Sequence, residues 1–491
     1  MTPAIRIHPQ NPKIFEFRGK PLALITATEH YGSVINRPFR FERYLADAAE
    51  KKITLTRLFT LFRELQSFCN PYSTAKPETP DFITPYRRVG PAKALDGEPQ
   101  FDLDQPNPEY FDRLHRFLSL ASDYGIIVEV TLLSNTYGDP VWMLNPLNPK
   151  NNVNQIETIH WSEYMTCRHP KLFERQVQHI QRIVRETNRY DNIIYEICNE
   201  PGGNVDEAGT PSVDEVNRWL IALAGVIRDT EKDLPNRHLV SGQEAFTYSP
   251  WEQSSTLSFR NFPIDIVNMH PLPNTTYDGK SYDQGTFMSK QLKIRAVRDF
   301  CLAAYKEPKP LNLDEDNVAS QYKDPDGWTI HRKRAWITAL SGAHYDMIDF
   351  SIINYSETGT EASQRHIRSW IKNLSEFIHS IDLVRARPAV HIIQRCPSHT
   401  LPAVMAVEGE DYAIYLADER ELDDPDAGKP ISGEIVIDLP AGEYQIACYS
   451  PVSGLYSPWI PLPGGPSTRI QIPTFCHDLL LNICRGKNNA S

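Results

Sequence analysis

Two glutamates stand where a pair of carboxylates could act on one bond. Glu200 closes the apolar run Ile193-Ile194-Tyr195-Glu196-Ile197-Cys198-Asn199 and is followed at once by Pro201. Glu315 closes the run Lys309-Pro310-Leu311-Asn312-Leu313-Asp314. Side chains alternate along a strand, so Glu196, Cys198 and Glu200 are expected on one face. Leu311, Leu313 and Glu315 are expected to share another, which turns Asp314 out of the cleft. Cleaving a glycosidic bond needs two carboxyls facing one cleft: one protonates the leaving oxygen and the other attacks the anomeric carbon. Either Glu alone could simply cap a loop at a strand end; only the pair across one opening points to chemistry.

Such a pair needs strands that end at a common surface. The chain alternates in the required way. An apolar strand at 22–27 leads to an amphipathic helix through Tyr44, Leu45 and Ala48, then to a strand at 53–59. Asn107-Pro108 reads as an N-cap with Pro at the first helical position. It opens a helix with Phe111, Leu114, Phe117, Leu118 and Ala121 on one face. Strands follow at 126–133, 193–198, 238–240, 264–269, 309–313 and 347–351. Helices are expected over 172–184, 213–227, ahead of 309, around Trp336 and over 367–381. About eight strand–helix units imply a parallel sheet. No Gly-rich nucleotide fingerprint follows a strand, so the reading is α/β, a closed (β/α)8 TIM barrel with its active site at the C-terminal strand ends. Residues 14–21 read as an N-terminal hairpin, and the connections 60–107 and 134–169 as long binding loops.

Helical periodicity stops after Arg385-Ala386-Arg387-Pro388. Short alternating runs at 412–416, 434–437, 444–447 and 479–483 read as a small C-terminal antiparallel β-sandwich. The expected domains are therefore 1–388, the barrel with its hairpin, and 389–491, the sandwich. The acidic stretch Glu408 to Asp426 reads as a solvated hairpin and loop. With 41% hydrophobic and 23% charged residues, the 491-residue chain is not a disordered one. A net charge of −11 argues against nucleic acid and anionic membranes as partners. The first residues lack a signal-like apolar core and no apolar run is long enough to span a bilayer, so the expectation is a cytoplasmic protein, or a secreted one if a signal has been removed. The eight cysteines form no C-x-x-C pair, and no H-E-x-x-H, EF-hand loop or P-loop occurs, so neither metal nor cofactor is expected.

Asn199-Glu200-Pro201 after an apolar strand resembles the Asn-Glu-Pro motif of clan A glycoside hydrolases, typified by the family 5 cellulases and mannanases. The segment Lys309 to Glu315 resembles the family's seventh strand, which ends in the nucleophile. The resemblance covers roughly the barrel and implies a set of roles. Glu200 would be the acid/base and Glu315 the nucleophile. Arg57 would hydrogen-bond the nucleophile, Asn199 would bind the sugar 2-hydroxyl, and His270 ends the sixth strand as the clan's His does. The sequence departs from the clan in three places. His270-Pro271-Leu272 replaces His-x-Tyr, so the Tyr that orients the nucleophile is either Tyr277 or missing. The third strand ends Leu133-Ser134-Asn135 without the usual His, and the eighth offers Phe350 and Tyr355 for the usual Trp. The implied mechanism is retaining, with Glu200 protonated at rest, Glu315 ionised beside Arg57, and the carboxyls about 5–5.5 Å apart.

Further candidates lie at other strand ends. Glu29-His30-Tyr31 follows the first strand and could bind sugar hydroxyls. Glu244, after Ser241-Gly242-Gln243, is a cleft residue by position. Trp142 and Trp161, in long loops, could offer ring faces to a sugar. The expectation is a retaining β-glycoside hydrolase of oligosaccharides or glycosides, with the sandwich as a structural partner. One rival is a catalytically inactive carbohydrate-binding barrel protein. Another is a barrel aldolase or lyase, against which stands the lack of a Lys ending an apolar strand.

Overall fold

The computed structural model describes residues 3–30, 32–61, 72, 81–203, 210–248, 251–285, 293–316, 325–420 and 424–486; Tyr31 lies outside them. Eight parallel strands form the barrel: β1 (Ile25–Thr28), β2 (Leu55–Phe59), β3 (Ile127–Ser134), β4 (Ile193–Asn199), β5 (Leu239–Gly242), β6 (Ile266–Met269), β7 (Leu311–Leu313) and β8 (His344–Ile348). Each hydrogen-bonds to its sequence neighbour, and β8 pairs with β1. The seam between β1 and β2 is closed by Thr54 N donating to Ile25 O (3.1 Å) and by Thr26 Oγ1 donating to Leu55 O (2.6 Å).

The helices wrap the outside: α1 (Phe41–Glu50), α2 (Pro108–Tyr124), α3 (Pro170–Thr187), α4 (Val213–Glu231), the short α5 (Thr256–Arg260), α6 (Ile294–Ala304), α7 (Pro325–Leu340) and α8 (Ser369–Ile378). Local sequence sets their ends. The Asn107 side chain accepts from Glu109 N ahead of Pro108, and Gly125 ends α2 in the left-handed conformation (φ 73°). Ser212 and Glu215 form a capping box at the start of α4. Among the described residues no helix is long and apolar enough to cross a membrane.

The N-terminal strands Arg6–His8, Asn11–Phe17 and Lys20–Leu22 form an antiparallel sheet under the barrel. Ile5, Phe15 and Phe17 pack there on Leu24, Leu55, Ile127, Ile194 and Ile266, the lower ends of the strands. Above this apolar plug the barrel interior turns polar, with Thr26, Arg57, Glu129, Thr131, Glu196, Asn268, Asn312 and Asp346 all buried. The eighth strand therefore lies three residues earlier than its apolar end suggested. Its first residues break the apolar pattern, with His344 meeting the plug, Tyr345 the helices and Asp346 the polar interior. The expected loop 60–107 carries a hairpin, Tyr86–Lys93 with Pro99–Pro106. A five-stranded sheet of very short strands, including Phe246–Tyr248 and Asn274–Tyr277, sits above β4 to β6.

After residue 386 two antiparallel sheets face each other. One holds Arg387–Pro388, Thr400–Val407, Asp411–Asp418, Asp478–Arg485, Gly442–Tyr449 and Ile460–Gly464; the other holds Ile393–Arg395, Ile431–Ile437 and Thr468–Phe475. Ile414, Leu416, Ile435, Ile437, Ile446 and Leu481 fill the space between them, as in a β-sandwich. Within the acidic stretch Asp418 is not solvated. It is buried, and its carboxylate accepts from Arg420 at 2.8 and 2.9 Å.

Buried neutral histidines tie the layers together. His344 Nδ1 accepts from Leu24 N (3.0 Å), while Nε2 faces Lys13 O (3.1 Å) in the plug. Burial lowers its pKa from 6.5 to about 3. A depressed histidine stabilises the fold above the unfolded value and loses that contribution as pH falls from 6.5 toward the folded value. Relative to His344→Gln, the wild type is expected to lose roughly 3 kcal/mol between pH 7 and pH 4. Urea midpoints of the two proteins at both pH values check this; a constant gap would refute it.

Candidate active site

Every strand end that the chemistry needs opens on one surface of the barrel. Glu200 follows β4, Glu315 lies two residues past β7, Arg57 projects from the middle of β2, and His270 follows β6. Both glutamates hold a left-handed backbone, with φ 45° at Glu200 and 44° at Glu315. Such a conformation costs a non-glycine residue of order 1–3 kcal/mol and survives only where its surroundings enforce it. Around Glu200, the Asn135 amide donates to the Glu200 carbonyl at 2.8 Å and Phe246 N donates to Pro201 O at 3.0 Å. Around Glu315, Asp314 N bonds to Met269 O (3.0 Å) and Asp316 N to Asp346 O (2.8 Å), so the residue is pinned between two ladder bonds. Arg334 grips both oxygens of Asp316 at 2.6 Å and fixes the loop from outside.

This strain corrects the expected parity of β7. Asn312 and Asp314 point into the barrel, where Asp314 Oδ2 lies 3.1 Å from Arg57 Nε and accepts from Asn268 Nδ2 at 3.0 Å. Leu311 and Leu313 face the helical core. Glu315 would follow them outward, but its left-handed backbone returns the side chain to the cleft. Asp314 thus lies inside, not outside.

His270 connects the pair. Its Nδ1 donates to Glu200 Oε1 at 2.8 Å and lies 3.7 Å from Glu315 Oε2, while Nε2 lies 3.6 Å from Asp314 Oδ2. Arg57, 3% exposed, is the hub beneath. It donates to Glu315 Oε1, to Glu196 Oε2 at 2.6 Å and to Asn199 Oδ1 at 3.1 Å, with Glu129 Oε2 at 3.5 Å. The pKa values follow this arrangement. Burial opposes the charge on His270, yet Glu315, Asp314 and Glu200 outweigh it and raise the imidazole well above its ordinary value. Burial likewise favours a neutral Glu200, but His270 and the Tyr137 hydroxyl hold the carboxyl below the usual range. The expectation that Glu200 rests protonated is corrected by this partner: the repulsion from Glu315 is outmatched by an adjacent cation. Deeper in the barrel, burial and neighbouring carboxylates push Glu129 and Asp346 well up.

The other candidates divide. Glu29 is buried, with Oε2 accepting from Gly32 N (2.5 Å) and Oε1 from Ser33 N (3.0 Å), so it shapes its own loop. His30 is half-buried beside Phe350, ring centroids 4.6 Å apart, at the ends of β1 and β8. Glu244 accepts from Ser258 N (2.7 Å) and Oγ (3.1 Å) and secures α5 rather than facing the cleft. Trp142 packs against Tyr164 in the core, centroids 5.5 Å apart. Tyr277 donates to Glu307 and packs edge-on to Phe259 and Phe300, so it belongs to the short-stranded sheet and not to the nucleophile. Two contributors escaped the sequence reading. Tyr137 donates to Glu200 Oε2 and accepts from Asn199 Nδ2 at 2.8 Å. Asn135 carries the Glu200 backbone. Their only signal was position, just past the end of β3 and ahead of Gly138-Asp139-Pro140.

Among the described residues two triads bring donor atoms within 4.8 Å of one another: Glu200, His270 and Glu315, and Glu129, Glu196 and Asp314. Protein cations already serve both, His270 the first and Arg57 the second. The arrangement suits acid–base work by one carboxyl and attack by the other.

No curated protein matches the chain. Its structure resembles a glycoside hydrolase at 12% identity, with a TM-score of 0.60 over 99% of this chain and 98% of that one. A putative glycoside hydrolase from Bacteroides vulgatus gives 0.62 at 12% identity over 99% and 83%. The endo-1,4-beta-mannanase of Rhizomucor miehei gives 0.50 at 14% identity over 76% and 99%. At these identities the likeness is one of fold. Residues 89–346, more than half of the chain, match the cellulase family, glycosyl hydrolase family 5. The chain therefore belongs to glycosyl hydrolase family 5, as a divergent member.

Proposed function

We propose that this protein is a retaining β-glycoside hydrolase that cleaves oligosaccharides or glycosides by double displacement. Glu315 attacks the anomeric carbon and Glu200 protonates the leaving oxygen, then activates the water that releases the sugar. One observation carries the reading: nearest oxygens of Glu200 and Glu315 fall within 4.8 Å of each other. That spacing is closer to the carboxyl separation of about 5–5.5 Å that retention uses than to the roughly 6.5–9.5 Å of inversion. His270 and Glu200 hold a proton between them, and the first displacement needs it on Glu200. Arg57 fixes the Glu315 oxygen that it binds, and Oε2, 3.7 Å from His270 Nδ1, is the oxygen that attacks.

A panel of nitrophenyl glycosides tests activity and sugar together. Proton NMR of the first turnovers is expected to show the β-anomer of the released sugar before mutarotation; the α-anomer appearing first would sink the retaining assignment. A second reading, a sugar-binding barrel without turnover, draws on the charged state that His270 imposes on Glu200. It predicts binding of glycosides with no hydrolysis across the whole panel.

A further inference from the structure

Both oxygens of Glu200 are engaged. Oε1 accepts from His270 Nδ1 and Oε2 from the Tyr137 hydroxyl. An acid must bring one oxygen within hydrogen-bond reach of the oxygen it protonates. His270 cannot give up its place, because it is buried and its other nitrogen faces Asp314. Tyr137 can. It is 36% exposed, holds a left-handed backbone (φ 53°), and precedes Gly138 (φ 145°), where only glycine turns without strain. Its hydroxyl also takes the Asn199 amide, so one phenol oxygen bridges the two neighbouring polar groups of the β4 end.

We propose that Tyr137 is a displaceable positioning residue, whose hydroxyl holds Glu200 Oε2 until a sugar takes its place and presents the leaving oxygen there. The inference rests on the reading of Glu200 as the acid/base. The exchange breaks the bonds of the Tyr137 hydroxyl to Glu200 and Asn199 and replaces them with bonds to substrate oxygens. Tyr137 keeps its proton throughout.

Tyr137→Phe tests this. The groups that face Glu200 are His270, Tyr137, Arg57 and Glu315, with Tyr248 and Cys198 close by. Of these the variant removes one donor, which favoured the charged carboxylate. Before substrate binds, Glu200 should then titrate higher, and the alkaline limb of kcat/KM should move to higher pH. The limb of kcat reports the complex, in which Tyr137 has already left, so it should stay in place. KM should fall about threefold or more, since binding no longer breaks these bonds. Limbs that move together, or a KM that is unchanged or higher, would overturn the proposal. Carbon-13 NMR titration of labelled glutamate carboxyls gives a readout independent of turnover, with the resonance assigned through Glu200→Gln. A Glu200 signal that titrates higher in Tyr137→Phe supports the proposal, and an unmoved one refutes it. Tyr137→Leu serves the same comparison should the Phe variant misfold. Glu200→Ala separates the two levels: wild-type turnover of phenyl glycosides by that variant would fell the acid/base reading itself. An impaired Glu200→Ala alongside an unshifted Tyr137→Phe would fell only the role of Tyr137.

Discussion

Replacing Glu315 with alanine is expected to cut turnover of an aryl β-glycoside by ~10⁴-fold or more, because it removes the proposed nucleophile and neither flanking carboxyl can replace it. Asp314 and Asp316 flank it but are committed, the first to Arg57 and the second to Arg334. Added azide should restore part of the activity and give the α-glycosyl azide, since one displacement inverts the centre. Glu200→Ala should behave differently. Its loss, on the order of 10²–10⁴-fold, should be largest for poor leaving groups and small for dinitrophenyl ones. Azide should then give the β-product after two displacements. The same product from both variants would contradict the assignment of roles. Neither variant should melt below the wild type. Each removes a carboxylate from a crowded acidic site, and alanine is no worse than glutamate at the left-handed φ of 44° or 45°.

The sequence carried much of this site because its elements obey simple rules. Apolar runs marked the strands, and the cap at Asn107-Pro108 marked a helix start. Glu200 could be placed because the apolar run of β4 ends at Asn199 and Pro201 stops the strand just beyond it. What failed was tied to places where the backbone or the interior departs from those rules. A left-handed Glu315 reverses the parity of the β7 end, so strand alternation turns Asp314 outward while the fold sets it beside Arg57. The barrel centre is filled by Arg57, Glu129, Glu196 and Asp346, and a polar interior gives no hydrophobic period to read. The strands that claim Tyr277 are four residues long at most, too short for any periodicity. Tyr137 was hidden for a related reason: a loop residue shows its role only when the chain is folded. Glu200's charge was misjudged because a pKa depends on the nearest partner, and His270 lies 70 residues away in sequence.

Removing the carboxylate of Asp478 is expected to destabilise the whole protein by about 3–5 kcal/mol, the cost of leaving a buried charge unpaired. Asp478 sits in the sandwich and Arg332 on α7 of the barrel; both are buried and joined at 2.7 and 3.0 Å, with the Tyr415 hydroxyl donating at 2.8 Å. Three successive basic residues of α7 each meet a different partner. Arg332 takes Asp478, the Lys333 ammonium donates to Asp418 O at 3.0 Å, and Arg334 grips Asp316 beside Glu315. Trp336, on the same helix, stacks on Tyr415 of the sandwich with ring planes 13° apart. One helix thus links the sandwich to the loop of the proposed nucleophile, which argues for a structural partner over an independent sugar-binding module. Urea denaturation of Asp478→Ala should show a lower midpoint with one transition, since a loss confined to the sandwich would split the curve in two. A paired Arg332→Met and Asp478→Leu change should recover most of the stability, because no charge is then left buried. Deleting residues 389–491 should expose Trp336 and leave Arg332 without its partner, giving an insoluble barrel. A soluble, active barrel from that deletion, or a loss under ~1 kcal/mol for Asp478→Ala as at exposed pairs, would show that the barrel needs no support from the sandwich.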